Sequence, residues 1–239
     1  MMIIPAIDIM NNKPVRLYQG DYNQKEIVAK DIMSTAKSFE EQGAKMLHLV
    51  DLDGAKEGKI VNGEAIIGVA RELKCSVEVG GGIRSMEDID YYLRNGVARI
   101  IMGTSALENP KFVKEALETY GAEKIVIGVD AKNNKVYGHG WLEDSDKVID
   151  NFLKELEDLG VKRVIVTDIS KDGTLSGPNI ELLKRLKSEV KIDIIASGGM
   201  SEMKDVEDLK AADVSAVIIG KALYHGTIDL KEAIKVGEA

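Results

Sequence analysis

Eight times along the chain a short run of apolar, mostly β-branched residues gives way to a longer stretch of helical periodicity, and this alternation limits the fold more than any single motif. The runs are Met2 to Ile9, Lys45 to Val50, Ser76 to Val79, Ala98 to Met102, Lys124 to Val129, Arg163 to Thr167, Asp193 to Ala196 and Ser215 to Ile219. They are nearly all apolar rather than alternating, as strands are when both faces of a parallel sheet are covered. The segments between them include "DIMSTAKSFEEQG", "SMEDIDYYLRNG", "SDKVIDNFLKELEDLG" and "IELLKRLKSEV", three of which end on a glycine that stops a helix. Eight such units in 239 residues predict an α/β fold, a closed (β/α)8 TIM barrel, whose usual length is about 250 residues. An open doubly wound sheet is the alternative. No Pro/Ser linker or charge block marks a boundary, so one barrel domain is expected over residues 1–239.

The chain also matches itself at about half its length. Asp51 and Asp168, Gly81 and Gly198, and Gly103 and Gly220 are each 117 residues apart, and Asp8 of "PAID" and Asp130 of "IGVD" are 122 apart. Extra short strands, "KPVRLYQG" and "NKVYGHGW", follow the first and the fifth run, the same place in each half. Periodicity of this kind predicts two half-barrels of four units each.

In a ring of eight strands the third and fourth lie opposite the seventh and eighth. "VGGGIRS" ends the third strand and "IIMGTSAL" the fourth, while "ASGGMS" and "VIIGKALY" end the seventh and eighth. Bare backbone at a strand end turns its amides outward as an anion-binding nest, and the loops after strands seven and eight are the recurrent phosphate site of this fold. Two opposed phosphate sites are therefore expected. One holds Gly81, Gly82, Gly103, Thr104 and Ser105; the other holds Ser197, Gly198, Gly199, Gly220 and Lys221. The bland alternative is that the glycines only let strands turn sharply into helices.

Between these rims, Asp8 and Asp130 end opposite strands, and Thr167, Asp168 and Asp172 stand at the end of the sixth. Carboxylates sharing one pocket separate in pKa, so that one serves as base and another as acid, which suits moving protons on a sugar. Asp51, Asp53 and Asp168 are as well explained as helix caps or loop ligands. His48 reads as a satisfied core histidine, and His139 and Trp141 as loop residues able to stack on a flat ring.

A net charge of −8 and a pI near 5.1 exclude a polyanion-binding surface, so no nucleic-acid partner is expected. The apolar runs are strand-sized and the N-terminus has no basic leader, which predicts a cytoplasmic protein without a membrane partner. Cys75 is the single cysteine and reads as a small apolar residue rather than a redox group. There is no HxH, HExxH, GxSxG or Walker pattern; neither metal nor cofactor is expected.

These segments, together with "LHLVDLDGAKEG", "VTDISKDGTLSGPN" and, as the most specific, the N-terminal "IIPAIDIMNNKPVRLYQGDY", closely resemble the ProFAR isomerases of histidine biosynthesis over nearly the whole chain. The resemblance implies a cofactor-independent Amadori rearrangement of an aminoaldose to an aminoketose, on a small sugar substrate that carries a phosphoribosyl group at each end. It implies Asp8 as general base, Asp130 as the acid that assists ring opening with Asp172 as its rival, and Thr167 and Asp172 orienting or sharing proton transfer. Arg16, Arg84, Trp141, Gly173 and Gly177 join the glycine rims as substrate-binding residues, and a monomer is expected. Actinobacterial relatives that also isomerise phosphoribosylanthranilate carry an arginine two positions before the loop tryptophan. Here that position is His139, which argues against dual specificity, while Arg16 and Arg84 keep it open. The cyclase of the next pathway step fits less well, because its cysteine before the first aspartate is replaced by Ala6 and Ile7. A barrel that binds phosphate ligands without chemistry is the reading from another class.

Overall fold

A computed structural model describes residues 1–141 and 143–239. The strands are β1 (Met2–Met10), β2 (Lys13–Tyr18), β3 (Asp21–Ile27), β4 (Met46–Asp51), β5 (Ser76–Gly80), β6 (Arg99–Met102), β7 (Ile125–Lys132), β8 (Lys135–Gly138), β9 (Glu143–Val148), β10 (Arg163–Asp168), β11 (Asp193–Ser197) and β12 (Ala216–Ile219). Eight of them run parallel in the order β10-β11-β12-β1-β4-β5-β6-β7, and pairing of β7 with β10 closes the ring. Helices stand between successive barrel strands, so the protein is a (β/α)8 barrel and the open-sheet alternative falls.

Alternation along each strand separates two cores. In β4, Leu47 and Leu49 point outward to the helices and join the large outer cluster, whereas Met46 joins Ile4, Ala6, Ile101, Val126, Ile165, Ile195 and Ile218 inside the barrel. That division follows from the two-residue period of a strand. Helix starts are set locally. Ser85 caps the helix Met86–Arg94, its hydroxyl accepting from Asp88 N at 3.1 Å while the Asp88 carboxylate accepts from Ser85 N at 2.9 Å. In the other half, Asp205 accepts from Ser201 N and Glu202 N in the same way.

The two short inserted strands are the first arms of two antiparallel hairpins, β2–β3 and β8–β9, that fold over the strand ends. Each is entered through an Asn-Asn pair, Asn11-Asn12 and Asn133-Asn134, with all four residues at positive φ between 51° and 67°. Two left-handed residues in a row are the requirement of a type I′ turn, and asparagine tolerates it better than other side chains. The helix expected from Ser145 begins only at Ile149: residues 143–148 form β9 instead. Lys135 Nζ binds Asp144 at 2.9 Å and Asp146 at 3.2 Å, and pairing with β8 outweighs the local helical pattern.

Candidate active site

All eight barrel strands end at one rim, where they enclose a cavity of about 270 Å³. Asp8, Asp130, Thr167 and Asp172 all line it, together with both glycine rims. Asp8 and Asp130 sit at the ends of opposite strands on this one mouth, and neither glycine cluster is walled off.

The close approach of loops explains the glycines. Gly81 has φ +103°, and a Cβ there would collide with the Asp51 carbonyl; Gly199 has φ +87°, and a Cβ there would strike the Gly177 carbonyl. Behind each rim stands a buried aspartate tied to an asparagine eleven residues on. Asp51 accepts from Gly54 N, Val61 N and Asn62 N at 2.8 Å each and from Asn62 Nδ2 at 2.6 Å. Asp168 accepts from Ser170 N at 2.9 Å and Asn179 Nδ2 at 2.7 Å. Asp53 accepts from Asn11 N and Asn62 Nδ2. Asp51, Asp53 and Asp168 line no part of the cavity, and their bonds are those of loop scaffolding. Gly177 also lies outside the lining; its amide donates to Gly199 O and braces the rim from behind.

Inside the mouth the charges are arranged asymmetrically. The Arg16 guanidinium donates from Nη1 to Asp8 Oδ2 at 2.6 Å and from Nη2 to Ala6 O at 2.9 Å, and stacks over the Tyr224 ring at 5.4 Å. It fills the space beside Gly220, where any Cβ would meet it. Burial works against its charge, but Asp8, Tyr224 and Asp172 outweigh that and raise its pKa. Lys221 Nζ donates to Gly173 O at 2.8 Å and lies over the Tyr18 ring.

Asp172 has its pKa pushed up to about 6, first by burial and then by the negative charge of Asp8, with Arg16 and Lys221 pulling the other way. Burial also raises the pKa of Asp130, against hydrogen bonding from Trp141 and Thr167 that favours its carboxylate. Trp141 reaches the cavity from the second hairpin and packs on Gly20 at the tip of the first, so the two hairpins meet across the mouth.

On the opposite rim Arg84, Thr104 and Ser105 line the cavity. Thr104 Oγ1 accepts from His139 N at 3.0 Å, and the buried Ser105 hydroxyl has no partner among the described residues. The His139 ring itself turns away, with Nε2 at 2.6 Å from Glu108 and 3.6 Å from Glu143, outside the cavity. Cys75 is partly buried on the outer face, and burial pushes its thiol up to about 11, which leaves it unreactive at neutral pH. Among the described residues, no three His, Cys, Asp or Glu side chains converge as a metal-binding group, and no helix is long and apolar enough to cross a membrane.

One polar lining residue escaped the reading of the sequence as a site residue. His48 stands on the cavity floor. The available signal was a polar residue at an inward-facing position of an otherwise apolar strand, "MLHLVD", followed by a second in "SVEVG".

Residues 2–229 match the family described as "Histidine biosynthesis protein". The chain belongs to this histidine biosynthesis family. A family member from Clostridium beijerinckii is 55% identical over 238 residues, covering 100% of this chain and 99% of its own length. One from Clostridium botulinum strain Alaska E43 is 52% identical with 99% of each chain covered, and one from Leuconostoc mesenteroides is 48% identical, covering 98% and 99%. Each of these family members is named 1-(5-phosphoribosyl)-5-((5-phosphoribosylamino)methylideneamino) imidazole-4-carboxamide isomerase.

Proposed function

We propose that the protein isomerises this doubly phosphoribosylated aminoaldose, ProFAR, to its aminoketose by an Amadori rearrangement. The observation that carries the reading is the placement of three carboxylates, Asp8, Asp130 and Asp172, in one cavity between two opposed glycine rims. The rims lie on opposite sides of the barrel mouth, one for each phosphate of such a ligand. Gly81, Gly82, Gly103, Thr104, Ser105 and Arg84 receive one phosphoribosyl end; Ser197, Gly198, Gly199, Gly220 and Lys221 receive the other. Backbone amides and a few donors hold phosphate locally, consistent with a chain of net charge −8.

In the middle, Asp172 holds a proton up to about pH 6 in the free protein. It protonates the ring oxygen of the aminoaldose, the C1–O bond breaks, and the nitrogen lone pair forms the C1=N Schiff base. Asp8, ion-paired with Arg16, then removes the proton on C2, and the electron pair moves to give the enaminol. Tautomerisation of the enaminol leaves a carbonyl at C2 and the amine on C1, so the product is an isomer of the substrate and no co-reactant is consumed. Asp130, with Trp141 and Thr167 beside it, orients the opened sugar and is the rival acid. Gly173 and Arg16 shape the floor of this end through Lys221 and Asp8. The protein acts in the cytoplasm on a small-molecule substrate.

Purified protein is incubated with ProFAR and product formation followed through a coupled cyclase reaction. Turnover supports the reading, and tight binding without turnover favours a phosphate-binding barrel instead. Offering phosphoribosylanthranilate to the same preparation tests dual specificity. The outward turn of His139 favours no turnover of that second substrate.

A further inference from the structure

Three neighbouring strands carry a polar row across the barrel interior. His48 on β4 is in register with Glu78 on β5, and Glu78 with Arg99 on β6. His48 Nδ1 stands 2.9 Å from Glu78 Oε1, and Arg99 Nη1 3.6 Å from Glu78 Oε2. Glu78 is 0% exposed, and its Oε2 makes no hydrogen bond. The row thus runs from the cavity floor, where His48 emerges, into the body of the barrel.

The second half of the molecule holds the matching row without any polar atom. Ala6 pairs with His48 as Gly128 pairs with Ile165, and the row continues Ile165, Ile195, Ala216 in the same register, each 117 residues after its counterpart. Ile165, Ile195 and Ala216 pack in the apolar inner core. The barrel therefore closes equally well around apolar side chains at these places. A buried ion pair is costly to desolvate, and well-packed apolar residues in its place are often neutral or stabilising. Fold stability gives no reason for Glu78.

We infer that Glu78 and Arg99 are positioning residues that hold the His48 imidazole as an oriented hydrogen-bonding group on the cavity floor, for a hydroxyl or imine of the opened sugar lying below Asp8 and Asp130. The Glu78 carboxylate accepts from Nδ1–H, which selects one tautomer and leaves Nε2 free to meet the ligand, as buried carboxylates do for other functional histidines. Arg99 stands on the other oxygen of the carboxylate and balances its charge. The ligand class rests on the isomerase reading above; the ring orientation does not.

The test copies the second half into the first. The triple variant His48→Ile, Glu78→Ile, Arg99→Ala is compared with wild type, Glu78→Gln and Glu78→Leu, for melting temperature, kcat and KM with ProFAR, and the histidine ring 15N spectrum. The triple variant is expected to melt at or above wild type, yet to lose about tenfold to a hundredfold in kcat/KM, the size of one lost hydrogen bond in a desolvated site. Glu78→Gln, which keeps an acceptor for Nδ1–H, is expected to retain most activity, and Glu78→Leu to lose it and to show a mixed tautomer signal for His48. A triple variant that folds with wild-type kcat/KM overturns the inference. So does a His48 spectrum unchanged by Glu78→Leu, which decides the matter even if the triple variant does not fold. Wild-type protein inert toward ProFAR would strike the proposed function alone, because the 15N measurement needs no substrate.

Discussion

The two rims of the mouth share their scaffolding and differ in what they turn toward the cavity. Asp51 with Asn62 and Asp168 with Asn179 tie down equivalent loops, and Gly81 and Gly198 each pass close to the carbonyl of the aspartate behind them, Gly81 the more tightly. On the cavity side Asp8 and Asp130 still correspond, but other positions do not. Asp172 stands where the first half has Ala55, Thr167 where it has Val50, and Arg16 of the first hairpin where the second has Gly138. Residues that hold loops are answerable to backbone geometry and repeat with it. Those that face the cavity are free of that constraint, and Asp8, Arg16, Thr167 and Asp172 have collected on the β10–β1 side.

The sharpest way to break this comparison is to remove charge from that side. Asp8→Asn keeps the shape and the donor partners but not the base, and is expected to lower kcat by about 10²- to 10⁴-fold with KM little changed, measured by steady-state kinetics on ProFAR. Wild-type turnover in this variant would remove Asp8 from the chemistry.

Asp172→Asn is next. The Asp172 carboxyl has a folded-state pKa of about 6 against an unfolded value of 3.8, so the folded protein binds the extra proton and loses stability as pH rises between about 4 and about 6. Above that window the loss is complete. Asp172→Asn is therefore expected to be more stable than wild type at pH 8, by about 1–3 kcal/mol, with the gap closing toward pH 4, as read from denaturant unfolding at several pH values. If Asp172 is the acid, kcat/KM of wild type falls above about pH 6 in the free enzyme and that limb is missing from the much slower variant. A limb that survives the substitution would shift the role to Asp130.

Scaffold substitutions sharpen the likeness of the two halves. Asn62→Ala leaves the fully buried Asp51 short of a donor and is expected to cost about 1–3 kcal/mol; Asn179→Ala, beside the slightly exposed Asp168, about 0.5–1.5 kcal/mol. Thermal unfolding of the two variants side by side reads the difference. The smallest effect belongs to the hairpin turns: Asn12→Gly and Asn134→Gly, both at positive φ, are each expected to change stability by less than about 1 kcal/mol and by similar amounts.

Much of the architecture was legible because it is written in local periodicity. Apolar runs such as "RVIVTD" and glycine-stopped helices report their own structure, and eight of them leave few ways to close a sheet. The gathering of Asp8, Asp130, Thr167 and Asp172 into one mouth followed from the same count, since every parallel strand delivers its C-terminal end to one face. Where local pattern and pairing disagree, the sequence misleads. Ser145 to Val148 carries a helical pattern but pairs with Lys135 to Gly138, and only the finished hairpin supplies that partner.

The chain by itself thus determined the eight barrel strands, their closure and the carboxylates at the strand ends, because each of these depends on spacing along the backbone. Tertiary structure alone decided which aspartates brace loops and which line the cavity, that Arg16 sits on Asp8, that Asp172 holds its proton up to about pH 6, and that His48 rises from a buried polar row. Those properties arise from burial and from neighbours distant in sequence, and no periodicity encodes an electric field.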